Sequence, residues 1–202
     1  FKINYLPVDK FGMINTSDLE NTISEKTSIV SVMFWNNEVG TIQPIKKIAK
    51  ICHENQIIFH TDAVQAIGKI PVDVKELDVD LLSISSHKLH GPKGIGALYI
   101  KDGVKINPII LGGGQEFRLR SGTENVANIV GFGQACEIAQ NHLDENISWI
   151  KKLQSQIVKR VLDEIPQVTF NGHLESRLYN NAHFTFLGVN GEDLIIKLDE
   201  YG

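Results

Sequence analysis

The sequence predicts an α/β protein: a mostly parallel sheet sandwiched by helices, followed by the start of a smaller α+β domain. Three observations lead there. Apolar, β-branched runs at Ile29-Val30-Ser31-Val32-Met33-Phe34, Ile57-Ile58-Phe59-His60 and Val79-Asp80-Leu81-Leu82-Ser83-Ile84 read as buried strands. Between the first two lies a helical stripe, Ile45, Ile48, Ala49 and Cys52, so strand, helix and strand form a βαβ unit whose right-handed crossover leaves both strands parallel. Beyond Asp144 the pattern changes to a helix followed by short alternating strands, which places a domain boundary between residues 1–143 and 144–202.

Taken in order, Phe1-Lys2-Ile3-Asn4-Tyr5-Leu6 reads as a strand already under way, with no initiating Met, so the chain is expected to be a fragment. Ser17-Asp18-Leu19-Glu20 has the capping-box pattern and predicts a short helix toward Ser24 or Lys26. Pro44 suits the first position of the helix that carries the Ile45 stripe. Ala97 to Ile100 follows the third strand after a Gly/Pro turn and is expected to run antiparallel to it. Leu111 to Asn125 is a long loop with three adjacent glycines, a length that commonly carries function. Helices are predicted from about Asn125 to Asn141 and on to about Glu164, the second with Ile150, Leu153, Ile157 and Val161 on its apolar face. Val168 to Phe170 and Ala182 to Phe186 read as strands, and Gly191 to Leu198 as a closing helix.

Composition narrows the class. The chain has 202 residues, 42% of them hydrophobic, and a formal charge of −4, which gives no basic footprint for nucleic acid. No apolar run reaches membrane-spanning length and no signal-peptide pattern opens the chain, so a cytoplasmic protein is expected. The two cysteines, Cys52 and Cys136, fall on apolar helix faces and read as small hydrophobes, not nucleophiles.

The chemistry gathers where the strands end. Asn37 follows the first strand, Asp62 and Gln65 the second, and Ser85, Ser86, His87 and Lys88 the third. Ligands of open parallel sheets bind outside those carboxyl ends. A lysine beside a buried strand end loses solvation, which favours the neutral amine that a carbonyl requires. A carboxylate, a primary amine and donors for a phosphate ester are the parts that a pyridoxal phosphate enzyme needs. Asp62 suits the protonated ring nitrogen, Gln65 the ring oxygen, and Ser85, Ser86 and His87 the phosphate.

Each residue also has an ordinary reading. Asp62 is equally suited to cap a helix beginning at Ala63, and an isolated Ser-x-His-Lys reads as a surface pair. His60 on a buried strand reads as a satisfied core histidine, and His53, His60 and Asp62 make a poor metal site. Gly91-Pro92-Lys93-Gly94 lacks nucleotide-loop spacing, and Glu145, Lys151, Lys152 and Lys159 read as a solvated helix face.

Four motifs in order carry a resemblance over essentially the whole chain: Asn36-Asn37-Glu38-Val39-Gly40; His60-Thr61-Asp62-Ala63-Val64-Gln65; Ser85-Ser86-His87-Lys88 with Gly91-Pro92-Lys93-Gly94; and Gly112-Gly113-Gly114-Gln115-Glu116 with Arg120-Ser121-Gly122-Thr123-Glu124-Asn125. The sequence resembles the cysteine desulfurases of the iron-sulfur assembly and nitrogen-fixation type. The resemblance implies a fold-type I pyridoxal 5'-phosphate enzyme that takes sulfur from L-cysteine, releases L-alanine and passes the sulfur, through an enzyme persulfide, to an acceptor or iron-sulfur scaffold protein.

By the same resemblance Lys88 bonds the cofactor and moves the substrate's Cα proton. Asp62 pairs with the ring nitrogen, Gln65 and Asn37 bond the ring oxygen, and Ser85, His87 and the backbone of Ser86 hold the phosphate. Thr123 reaches the phosphate in the neighbouring subunit, which implies a homodimer. The family also has an upstream phosphate turn with a ring-stacking histidine, and a sulfur-accepting cysteine on a loop beyond a helix like Gly191-Glu192-Asp193-Leu194. The chain thus reads as a central fragment, expected to be inactive by itself. Phe117 stands where relatives usually carry a polar or basic residue. Two other classes remain open: a related enzyme such as a selenocysteine lyase or class V aminotransferase, and a non-catalytic dimerisation or scaffold-binding fragment.

Overall fold

A computed structural model of the chain describes residues 2–202. The three apolar runs form β1 (Ile29–Met33), β2 (Ile58–Asp62) and β3 (Leu81–Ser85), and Gly96–Ile100 forms β4. They lie in the order β1-β2-β3-β4, the first three parallel and β4 antiparallel to β3, as the spacing predicts. Side chains alternate across a strand, so each face of the sheet has its own character. Val30, Phe59 and Leu82 share one core with Ile45, Ile48, Ala49 and Cys52 of α2 (Ile45–Glu54) and Leu19 of α1 (Thr16–Thr22).

The other face is polar. Ser31 of β1, His60 of β2 and Ser83 of β3 form a row, with Ser31 Oγ 2.8 Å from His60 Nδ1 and Ser83 Oγ 2.9 Å from His60 Nε2. His60 is therefore the satisfied histidine that its strand position suggests. Burial lowers its pKa, against an opposing pull from the Asp62 charge.

His53 has an equally structural role at the other end of the sheet. Its ring lies between Asp78 (3.1 Å) and Asp80 (3.0 Å), and Lys101 donates to Asp78 at 2.6 Å. Asp80, nearly buried, also accepts the Phe59 amide at 2.8 Å, so the cluster ties α2 to the starts of β2 and β3.

Beyond the short α3 (Val74–Leu77) and β4, α4 (Val126–Asn141) and α5 (Leu143–Glu164) follow one another with only His142 between them. β5 (Val168–Phe170) pairs antiparallel with β6 (Phe184–Phe186), and α6 (Gly191–Asp199) closes the chain. No helix among the described residues is long and apolar enough to cross a membrane.

Several expectations need correction. Residues 2–7 form no strand; Val8 makes only an isolated bridge to Ile14, and Phe1 lies outside the described residues. Asn15, not Ser17, caps α1, because its side chain accepts the Ser17 amide, and the helix ends at Thr22. Pro44 is the residue before the first helical one. β2 runs on to include Asp62 and β3 to include Ser85, because ladder bonding continues past the last apolar side chain. The α5 stripe is not fully covered within this chain: Leu153 and Ile157 are 39% and 52% exposed.

Candidate active site

Parallel register sets Met33, Asp62 and Ser83 side by side on neighbouring strands, which are spaced by about 4.8 Å. Asp62 is thus the last residue of β2 and shares the polar face with His60. Its Oδ1 accepts the Val64 amide at 3.0 Å, which orients the carboxylate, and the second oxygen takes no part in that turn. Residues 64–69 form turns and no helix begins at Ala63, so helix capping does not account for Asp62.

Gln65 is half-buried in this turn. Its carbonyl accepts a 2.9 Å hydrogen bond from Lys69 Nζ, which also sits 5.3 Å from the centre of the Trp35 ring. Burial pushes the Lys69 amine down to about 8, and the positive charge of Lys88 pushes it the same way. A second, partly desolvated lysine therefore neighbours Lys88. No periodicity in the sequence singles Lys69 out, because its environment comes from Trp35 on another strand end.

After β3 the chain enters a 3₁₀ turn, Ser86–Leu89, which carries Lys88 half-buried on its last residues. Ser85 Oγ lies 2.9 Å from His87 Nδ1, giving a hydroxyl and imidazole pair that can donate to an anion. Ser86 behaves differently from its expected role. It is fully buried, its amide donates to the Ile95 carbonyl at 3.1 Å, and a Cβ at Gly91 would overlap its Oγ. Its amide is already engaged and its hydroxyl is buried, so the residue packs the turn.

Leu89 anchors the Lys88 turn against Phe132 and Ala135 of α4 and against Ile67. Gly68 is what permits this approach. Its φ is +72°, a left-handed conformation that L side chains rarely adopt, and a Cβ there would overlap Leu89 Cδ2 and come within 3.2 Å of Ala139 Cβ. Gly68→Ala is expected to destabilise the protein by about 1–3 kcal/mol through overpacking and backbone strain. Thermal unfolding checks this, and an unchanged Tm would show that the turn has room to spare.

The Asn36-Asn37 pair divides its labour. Asn36 Oδ1 accepts the amides of Glu38 and Val39, both at 2.9 Å, and so builds the turn after β1, whereas Asn37 stands exposed on it. Thr123 is exposed on a separate loop ahead of α4. That loop is pinned by Ser121, whose Oγ donates to the Gly113 carbonyl at 2.7 Å. Its tip, Glu116-Phe117-Arg118, has positive φ throughout and leaves Phe117 94% exposed.

The structure therefore brings Asp62, Gln65, Ser85, His87 and Lys88 to one edge of one sheet, with Asn37 on the adjoining turn. Neither cysteine joins them. Burial, then the charge of Asp80, pushes the Cys52 thiol up to about 11, and burial also raises that of Cys136. Among the described residues no group of His, Cys, Asp and Glu is arranged to hold a metal.

A mostly parallel sheet with an acid and an amine at adjacent carboxyl ends defines the class, and the comparison of families agrees: residues 1–202 match the family Aminotransferase class-V, and the chain belongs to it. Within that family its relatives are more specific. It is 52% identical over 202 residues to a cysteine desulfurase IscS of Methanosarcina thermophila, covering 100% of this chain and 50% of that protein. It is 45% identical over 202 residues to a mitochondrial cysteine desulfurase of Arabidopsis thaliana, covering 99% of this chain and 45% of the relative. Among solved structures, a NifS-like protein superposes with a TM-score of 0.94 at 44% identity, covering 100% of this chain and 55% of the other. The chain spans about half the length of the curated relatives it matches.

Proposed function

We propose that the protein carrying this chain is a pyridoxal 5'-phosphate-dependent cysteine desulfurase, a transferase that converts L-cysteine to L-alanine and passes the sulfur to an acceptor thiol. One observation supports this above the others: the Asp62 carboxylate, the Lys88 amine and the Ser85–His87 pair stand at the ends of neighbouring strands. This donor set fits the cofactor. When bound, the cofactor supplies an aldehyde and a ring that withdraws electrons while its nitrogen stays protonated.

On this reading each residue has a defined task. Lys88 holds the cofactor and moves the proton at the substrate's Cα. Asp62, oriented by the Val64 amide, keeps the ring-nitrogen proton in place by favouring the charged form. Gln65 and Asn37 donate to the ring oxygen, and Ser85 and His87 bind the phosphate. Ser86 supports the site from beneath, as packing. Thr123 serves the phosphate of a partner subunit, so a homodimer belongs to the proposal. So do a cytoplasmic location, supply of sulfur to iron-sulfur or thiolation pathways through an acceptor protein, and a division near residues 143 and 144 into a large cofactor-binding part and a small domain.

The test is to incubate the full-length protein with L-cysteine and a reducing thiol and to measure alanine and sulfide. Equal amounts of both, with little turnover of selenocysteine or of amino-group acceptors, are expected. Absence of alanine, or alanine without sulfide, refutes the assignment.

A further inference from the structure

We propose that Arg177 and Asn181 are positioning residues that hold the turn bearing Asn37, so that the segment between β5 and β6 sets a contact of the active site. The proposal rests on the reading of Asn37 as a cofactor contact and goes beyond it.

The hydrogen bonds of the turn come from two sources. Its amides are satisfied locally: Glu38 and Val39 donate to the Asn36 side chain, and Gly40 donates to the Asn36 carbonyl at 3.0 Å. Its carbonyls are satisfied from far along the chain. Asn181 Nδ2 donates to the Glu38 carbonyl at 2.7 Å, Arg177 Nη2 to the Val39 carbonyl at 2.6 Å, and the Leu178 amide to the Gly40 carbonyl at 3.0 Å. The clamp extends to the next residues: the His173 amide donates to Thr41 Oγ1 at 3.0 Å and the Ile42 amide to the Ser176 carbonyl at 2.8 Å. Backbone polar groups that leave water need such partners.

The clamp is itself held rigidly. The Arg177 guanidinium lies 3.8 Å from the centre of the Phe170 ring, its Nε donates to the His173 carbonyl at 3.2 Å, and Nη2 also donates to the Asn171 carbonyl. A planar fork fixed in this way loses little further freedom when it binds Val39. The packing has no slack either. A Cβ at Gly172 would overlap the Val39 carbonyl, and one at Gly40 would lie 2.6 Å from Asn181 Oδ1. With carbonyls 38, 39 and 40 each fixed, the orientation of Asn37 follows.

The experiment compares Arg177→Ala, Arg177→Lys, Asn181→Ala and Asn37→Ala in the full-length, cofactor-loaded protein. The readouts are the pH midpoint of the cofactor's visible absorption and hydrogen exchange at the Glu38 and Val39 amides. Asp80→Asn, in the ion-pair cluster at the opposite end of the sheet, controls for lost stability alone. Asn181→Ala and both Arg177 variants are expected to speed exchange in the turn. They should also move the midpoint in the direction set by Asn37→Ala, by about 0.5–1 pH unit, the scale of one hydrogen bond. Combined with Asn37→Ala, they should add nothing further.

Asp80→Asn should lower Tm without moving the midpoint. Unchanged exchange in the turn, or shifts that add to that of Asn37→Ala, overturns the clamp. If Asn37→Ala itself leaves the midpoint unmoved while exchange accelerates in the Arg177 variants, the cofactor role of Asn37 fails, and the positioning proposal fails with it. Should Arg177→Ala not fold, Asn181→Ala and Arg177→Lys decide the matter.

Discussion

Lys88→Ala in the full-length protein is expected to abolish turnover, by at least about 10³-fold, and to remove the visible absorption of bound cofactor, because the amine proposed to bond the cofactor is lost. The fold should survive. Lys88 is half-buried on a turn that Leu89 and Ser86 anchor, and neither anchor depends on its side chain. Lys69 is poorly placed to substitute despite its lowered pKa, since its Nζ is held by the Gln65 carbonyl beside the Trp35 ring. Lys88→Arg should fare no better, because a guanidinium stays protonated and cannot act as a neutral amine. Absorption spectra after gel filtration, together with alanine release, check the prediction. Persistent colour and turnover in Lys88→Ala would move the site elsewhere.

Asp62→Asn should reduce kcat by about 10²–10³-fold with little change in Tm. The substitution separates charge from shape. The Asn oxygen can still accept the Val64 amide, so the turn after β2 and the pairing with Ser83 are retained. What disappears is the negative charge proposed to favour a protonated ring nitrogen. His60 provides an internal check: the Asp62 charge raises its pKa against burial, so removing that charge should lower the His60 pKa further. Imidazole titration followed by NMR reads this shift directly. A variant with full kcat, or an unmoved His60, would show that the carboxylate acts on neither group.

Much of the fold was legible in the sequence because its causes are local. Residues alternate in or out of a strand with period two and recur on a helix with period near 3.6, and a βαβ crossover forces parallel strands. The sheet, the antiparallel β4 and the grouping of Asp62, Gln65, Ser85, His87 and Lys88 at strand ends follow from those rules. Element ends were less legible. Asn15 competes with Ser17 for the same helix start, and ladder bonds carry β2 through Asp62, so patterning of side chains alone misplaces both.

By itself, then, the sequence determined the order and type of the main elements and which polar residues leave the sheet at its carboxyl edge. Tertiary structure decided what each of those residues faces. It buried Ser86 under Gly91, gave Asn36 the turn and left Asn37 exposed, and brought the Lys69 amine near the Lys88 charge. It also joined Val39 to Arg177 and Glu38 to Asn181, residues 138 and 143 positions apart. Burial and long-range hydrogen bonding depend on which surfaces meet once the chain has closed, and periodicity within a segment holds no record of that meeting.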